Sequence, residues 1–392
     1  MGNGVGVGKR WVVVAVIAAI SLGVAPRLWA GAPIASDWPQ PGFDAGQTHG
    51  NANEQELGAA EAEALELVGS RRFREELWGP PAIVGGSAYL YMLRDGRGDP
   101  DEDPVLLRVD LSTGRVLWRT AGEGCPYVKP HVTSSHVLTG ASCSQSDPGG
   151  VHARRLTDGR PVWGSGYASG GLALHRDRLV SAHGPYGAYG EEPWKLVARD
   201  ASTGQVKWDR TPLGDMPFRF SGTQPGGVLA VGSTVYTIEG GRLVARKLSG
   251  GKIRWRWRLP SALSLDAATF YALFLNGSQG VVALNPMDRS IRWSSPETRV
   301  AAVLDGTVFL QAADGFVARD VGTGEELWRI GSTFTEAIAA NGVVYGLDPE
   351  TDRVVAISAE TGAVLDAVPG ESMAIAAGRL FVTEGRWLRS YS

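Results

Sequence analysis

The stretch Leu196-Val-Ala-Arg-Asp200-Ala-Ser-Thr-Gly204-Gln-Val-Lys-Trp208 decides the fold. Its first four residues have the apolar, β-branched character of a strand, and its last four alternate polar and apolar like a second one. Between them, Asp200 to Gly204 is turn chemistry. Gly204 suits the positive-φ position of a short hairpin loop, where a Cβ costs about 1 kcal/mol. Asp200 and Thr203 are placed to accept nearby backbone N–H groups and pin the loop.

The pattern recurs along the chain. Asp110-Leu-Ser-Thr-Gly114 leads to Trp118, Leu156-Thr-Asp-Gly159 to Trp163, and Leu248-Ser-Gly-Gly251 to Trp255. Asn285-Pro-Met-Asp-Arg289 leads to Trp293 and Asp320-Val-Gly-Thr-Gly324 to Trp328, while a worn copy, Ala359-Glu-Thr-Gly362, reaches Asp366 instead. Successive positions lie 45, 45, 47, 38, 35 and 38 residues apart. Ten residues before each stands Ala153, Ala198, Ala245, Ala283, Ala318 or Ala356, with Arg108 in the first copy. A repeat of about 40 residues that reads as all strand predicts a β-propeller, one four-stranded blade per repeat.

The last unit, Ala374 to Ser392, supplies three strands and stops before its turn, while a spare strand lies near residues 65–78. Seven whole units and one composite predict an all-β, eight-bladed propeller over 65–392. An N-terminal strand closes its last blade and leaves no terminal blade edge to aggregate. The 392 residues, with 43% hydrophobic, 20% charged and 53 Gly, suit one large all-β domain. A net charge of −3 gives no electrostatic footprint for nucleic acid.

Ahead of the repeats, Lys9 and Arg10 precede an apolar run from Trp11 to Ala25, short for a spanning helix. Residues 1–32 are expected to be a signal peptide or an uncleaved membrane anchor. Ala30-Gly-Ala32 resembles a cleavage site, and Pro33 behind it disfavours processing. Either outcome exports the chain, secreted or tethered to the membrane by this segment, and no cysteine follows the run to carry a lipid. Residues 33–64 form a lead-in and linker. In it Trp38 and Phe43 are expected to pack on one propeller face, and Asn51-Ala-Asn-Glu-Gln-Glu56 to be polar linker.

The repeated Ala-x-Asp-x-x-Thr-Gly-x-x-x-Trp, with N-terminal closure, resembles the pyrroloquinoline-quinone-type, quinoprotein-like propeller repeat across residues 65–392. That family includes quinone-dependent alcohol and glucose dehydrogenases. It also includes cofactor-free members, such as the lipoprotein that helps assemble outer-membrane β-barrels and the sensor regions of some membrane kinases. The resemblance implies that Trp118, Trp163, Trp208, Trp255, Trp293 and Trp328 are docking residues wedged between blades. It also implies that a quinone-dependent member would carry calcium, acidic ligands, a catalytic Asp and a disulfide between adjacent cysteines. Here the cysteines are Cys125 and Cys143, 18 apart. An antiparallel pair turning near Ser134-Ser135 brings these two opposite each other, so an oxidising compartment is expected to bridge them.

Other chemistry is sparse. Asp99-Pro-Asp101-Glu-Asp103 lacks the Gly and the later Glu of a calcium loop, and Arg97-Gly-Asp99 is too short to be informative. His49, His131, His136, His152, His175 and His183 show no repeated ligand spacing. Arg289 stands where a turn Gly is expected, so that turn either strains or changes type. Asp366 replaces a Trp, so the joint between blades 7 and 8 is expected to be the loosest. The aromatic stretches holding Tyr186, Tyr189, Trp194, Phe218 and Phe220 are the candidate interface, since aromatics and Arg favour protein contacts. The expectation is a monomeric extracytoplasmic scaffold, without catalytic residues, cofactor or metal, that binds a cell-envelope protein or peptide. A quinone-dependent oxidoreductase and a ligand-sensing module are the alternatives.

Overall fold

The computed structural model describes Met1 and residues 37–93, 104–122, 128–140, 150–166, 172–183, 194–214, 216, 220–221, 224–225, 227–259 and 263–392. Strands pair into eight four-stranded antiparallel blades arranged as a ring, each running from an innermost strand at the channel to an outermost one. The innermost strands of blades 1 to 4 are Leu77–Val84, Val128–Val132, Leu172–His175 and Val228–Val231. Those of blades 5 to 8 are Leu263–Ala268, Arg299–Leu304, Glu336–Ala340 and Ser372–Ala376. Blade 8 is the predicted composite: Leu67–Arg72 pairs antiparallel with Trp387–Tyr391 as its fourth strand.

The repeat motif explains how blades join. Gly204 adopts φ 71° as predicted, and Asp200 Oδ1 accepts the Ser202 and Thr203 N–H groups, both at 3.1 Å. The motif's Ala stands directly opposite its Trp across the strand pair, as Ala198 does opposite Trp208 and Ala318 opposite Trp328. A methyl there leaves room for the indole. The indole then reaches out of its own blade. Trp118 Nε1 donates to the Leu156 carbonyl at 2.7 Å, and Trp163 to Ala201 at 3.2 Å. Trp208 donates to Leu248 at 2.7 Å, Trp293 to Val321 at 3.0 Å and Trp328 to Ala359 at 2.8 Å. Every acceptor lies in the Thr-Gly turn of the following blade.

The turn glycine therefore answers two demands. A Cβ added at Gly251 would stand 2.8 Å from the Trp208 ring, and one at Gly362 2.8 Å from Trp328. The arginine that follows the Ala in four copies closes the same turn from behind. Arg154, Arg199, Arg246 and Arg319 donate to the carbonyls of Gly159, Gly204, Gly251 and Gly324 at 3.0–3.3 Å.

Of the two departures, Arg289 takes the strained course, one of the two expected for it. Arg289 keeps the turn type, with φ 67° and its N–H on the Asn285 carbonyl at 2.8 Å, and so accepts left-handed strain. Its Cβ stands where the preceding blade's indole would lie flat. Trp255, the indole due to dock there, is only half-buried and makes no bond of this kind among the described residues. Asp366, by contrast, turns its carboxylate to the Leu65 N–H at 2.8 Å, tying blade 7 to the chain entering blade 8. Around it, Ile338 and Val354 of blade 7 share one core cluster with Met373 and Val382 of blade 8 and Leu90 of blade 1. Between blades 4 and 5, where that bond is missing, Trp255 still packs against a shared core cluster that includes Leu243 and Leu265.

Two outcomes check this account. Trp208→Ala empties a site only 5% exposed and is expected to cost roughly 3–5 kcal/mol in urea unfolding. Trp255→Ala should cost less than half of that, and equal midpoint shifts would contradict the difference in docking. Cys125 and Cys143 lie outside the described residues. The described strand pair nearest to them, Val128–Val132 with His136–Gly140, is antiparallel with Val128 opposite Gly140. Mass spectrometry of unreduced, exported protein should find the bridge, whose closure of about 18 residues is worth roughly 3 kcal/mol. Alkylation of both thiols before reduction would exclude it.

Candidate functional site

The lead-in does far more than rest on one face. From Trp38 to Asn51 it runs round the mouth of the channel and bonds the innermost strand of every blade in turn. Trp38 and Ile83 exchange both backbone bonds at 2.7 and 2.8 Å, and the Pro39 carbonyl accepts the Val132 N–H at 2.7 Å. Gln40 Nε2 donates to the Leu174 carbonyl at 3.1 Å. The carbonyls of Ala45, Gly46, Thr48 and His49 accept the N–H groups of Ala230, Ala268, Val303 and Ala339 at 2.7–2.8 Å. Asn51 Nδ2 completes the circuit on the Ile375 carbonyl of blade 8 at 2.9 Å.

The sequence permits this tight course. Gly42, Phe43, Gln47 and His49 all have positive φ, between 52 and 68°. Any side chain at Gly46 or Gly50 would collide with the carbonyls of Ala268 or Val303. Trp38 is 2% exposed and its ring stands 5.3 Å from that of Phe43, so both pack as expected. The residues read as polar linker do not behave as one. Asn51 is wholly buried, and the Glu54 carboxylate accepts the N–H groups of Glu56 and of Gly378 in blade 8, at 2.8 and 3.1 Å.

Beneath this ring the channel is narrow and charged. A cavity of about 40 Å³ is lined by Trp38, His49, Arg299, Glu336 and Met373, room for roughly three waters at the ~10–15 Å³ each requires. Lys129 lies over the Trp78 ring, 2.9 Å from its centroid. Burial lowers its ammonium to about 7, against the opposing pull of Glu336. Burial likewise raises the Glu336 carboxyl, which Lys129 and Arg299 counter, and His49 is lowered to about 4 by burial and by Arg299. Trp38 and His49 of the lead-in themselves line this cavity. Ser181 Oγ and His183 Nε2 stand 2.8 Å apart and are both buried in blade 3.

Two surfaces remain open. Beside the ring, a groove of about 500 Å³ over blades 2 and 3 is lined by Asp37, Gln40, Phe43, Asp44, His175 and Arg176. On the opposite face end the strands joined by residues 94–103, 141–149 and 184–193, the longest connections of blades 1, 2 and 3. Of the candidate interface, Tyr186, Tyr189 and Phe218 lie outside the described residues, as does the Asp99–Asp103 stretch. Phe220 is described only as backbone, in the short strand Phe220–Ser221. Trp194 is half-buried against a core cluster of blades 3 and 4, so its ring is partly structural. No helix among the described residues is long and apolar enough to cross a membrane.

Asp44 gives the ring a pH signature. Its Oδ1 accepts the Gly46 and Thr48 N–H groups at 3.0 and 3.1 Å, yet burial raises the carboxyl from 3.8 to about 6. Its contribution to stability is full below about pH 3.8 and is lost as pH rises through about 6. Asp44→Asn keeps an accepting oxygen without the charge. It should raise stability by on the order of 2–3 kcal/mol at pH 7.5 and by little at pH 4, read from urea midpoints at both.

A family model described as "Outer membrane protein assembly factor BamB" matches residues 38–185 and 169–368. No curated protein matches the chain in sequence. Among solved structures, quinohemoprotein alcohol dehydrogenase from Comamonas testosteroni is similar at 14% identity and a TM-score of 0.65, over 92% of this chain and 81% of that one. BamB from Moraxella catarrhalis is similar at 15% identity and a TM-score of 0.60, over 84% of this chain and 98% of that one. Both structural likenesses speak to the propeller fold. With the family model covering most of the ring and the repeat present in every blade it predicts, the chain belongs to the outer membrane protein assembly factor BamB family of pyrroloquinoline-quinone-type propellers.

Proposed function

We propose that the chain is a non-catalytic, exported scaffold that binds a cell-envelope protein or peptide on its outer surface. One observation carries this reading: the lead-in occupies the channel mouth and bonds all eight blades. An enzyme of this fold needs the axis for its cofactor. Here that space is spent on backbone hydrogen bonds, and what stays exposed are turns, outer strands and loops. Membership of the BamB family supports the same direction.

The groove over blades 2 and 3 favours a second reading, a ligand-sensing module. Its volume of about 500 Å³ falls in the usual range for small-molecule sites. The oxidoreductase alternative rests on the quinoprotein-like repeat and on the likeness of the fold to dehydrogenases such as quinohemoprotein alcohol dehydrogenase.

Purified chain incubated with pyrroloquinoline quinone, calcium and an alcohol or glucose is expected to reduce no redox dye. Incubated with an envelope extract, it should retain a discrete protein at stoichiometric yield. Quinone-dependent turnover would overturn the scaffold reading.

A further inference from the structure

The outermost strand of blade 4, Ile253–Arg258, reads Ile-Arg-Trp-Arg-Trp-Arg, with the tryptophans half-buried and the arginines exposed. Arg254, Arg256 and Arg258 therefore form a row on one face of an edge strand. The segment 242–258 around them holds seven Lys or Arg and no Asp or Glu, in a chain whose net charge is −3. Among the described residues no carboxylate pairs with any of the three; the ion pair formed within this segment is Arg246 with Glu239.

Every outer strand has a free edge to protect, and charge is one way to protect it. The six other outer strands built on the same repeat carry at most one cation each at these three positions: Arg119, Lys207, Arg292 and Arg329 across all of them. Edge protection is common to all the blades, so it does not account for a row found on one.

An apolar patch adjoins the row. Arg254 Nη2 donates to Ser233 Oγ at 2.7 Å, in the first turn of blade 4. A Cβ on neighbouring Gly232 would stand 2.6 Å from the Phe270 ring, so Phe270 of blade 5 covers that same turn. Phe270 is nonetheless 67% exposed, Tyr271 75%, and Met287 in the next turn of blade 5 83%. These are the largest exposures of any described hydrophobic side chains after Met1.

We propose that this surface docks an extended, acidic polypeptide segment that ends in an apolar side chain. The inference rests on the scaffold reading and names the partner chemistry for it. Alternate residues of an extended chain repeat every ~6.6 Å, the spacing of Arg254, Arg256 and Arg258 along their own strand. Carboxylates on every second residue of a partner match that row, and its apolar end reaches Phe270 and Tyr271 at the rim. A flat lipid surface fits less well. The cations run down the side wall of the propeller while the aromatics crown its face, and one plane does not meet both.

The test uses the full-length chain in nanodiscs of neutral lipid. The probe is a fluorescent nine-residue peptide alternating Glu and Val with one terminal Phe; its control carries Lys for Glu. Anisotropy should show binding of the Glu peptide and none of the Lys peptide, weakening at least tenfold from 50 to 300 mM salt. The Arg254→Glu/Arg256→Glu/Arg258→Glu variant should lose at least tenfold in affinity. Phe270→Ser/Tyr271→Ser should lose several-fold, both variants melting within a few degrees of wild type. Equal binding of both peptides, or unchanged affinity in the arginine variant, overturns the proposal. So does binding of phosphatidylglycerol vesicles through these arginines with no binding of the peptide. If wild type and arginine variant retain the same envelope protein, the scaffold reading stands and this surface is not where it acts.

Discussion

A buried indole N–H must find an acceptor, and in this ring the acceptor always belongs to someone else. In five of the six tryptophan copies the indole is held by its own blade, opposite an alanine in all but the first, and its hydrogen bond ends on the turn of the next blade. Leaving such a donor unpaired would cost about 1–3 kcal/mol. No blade satisfies its own polar groups alone, so the repeats are stable only in series. The turn glycine, the alanine and the turn-closing arginine are all consequences of that one shared bond.

The same accounting applies at the axis. An innermost strand has a second edge with no strand of its own blade beside it, and the N–H and C=O groups on that edge still need partners. The lead-in answers this by visiting each blade once, at nearly the same position near the end of the inner strand. What this leaves is a molecule whose centre is committed to its own structure and whose periphery is free to differ from blade to blade. Among the described residues, blade 4 carries the basic row on its outer strand and blade 5 the most exposed apolar side chains, and the two blades adjoin.

The ring was legible because its signals are side chains at fixed spacing. Trp, Gly and Ala recur in register, and a three-stranded final unit announces its missing partner. The circuit of the lead-in was not legible, since most of its bonds are backbone to backbone. Pro39, Ala45, Gly46, Thr48 and His49 each offer only a carbonyl, which no sequence pattern marks. Gly42, Gly46 and Gly50 at four-residue spacing hint at a tight path, and nothing in them names its target. Arg289 was visible as a departure, but its effect falls on Trp255 in another blade. The basic row was hidden by bookkeeping over the whole chain: 38 Lys and Arg against 41 Asp and Glu average away a local excess.

The circuit of the lead-in also sets an order in time. Asn51 bonds a residue 324 positions further along the chain, and Leu67–Arg72 pairs with the last strand of the ring, Trp387–Tyr391. The first part of the propeller to leave the ribosome is thus the last to find its partners. Until Tyr391 arrives, the lead-in, the spare strand and one side of blade 1 wait with open edges. Contacts this distant make closure slow, and they make the full-length chain alone competent to finish. A truncated or stalled product lacks blade 8 and so presents unpaired strand edges at both ends of an open arc. A ring of this construction is therefore either shut or incomplete, with no stable state between.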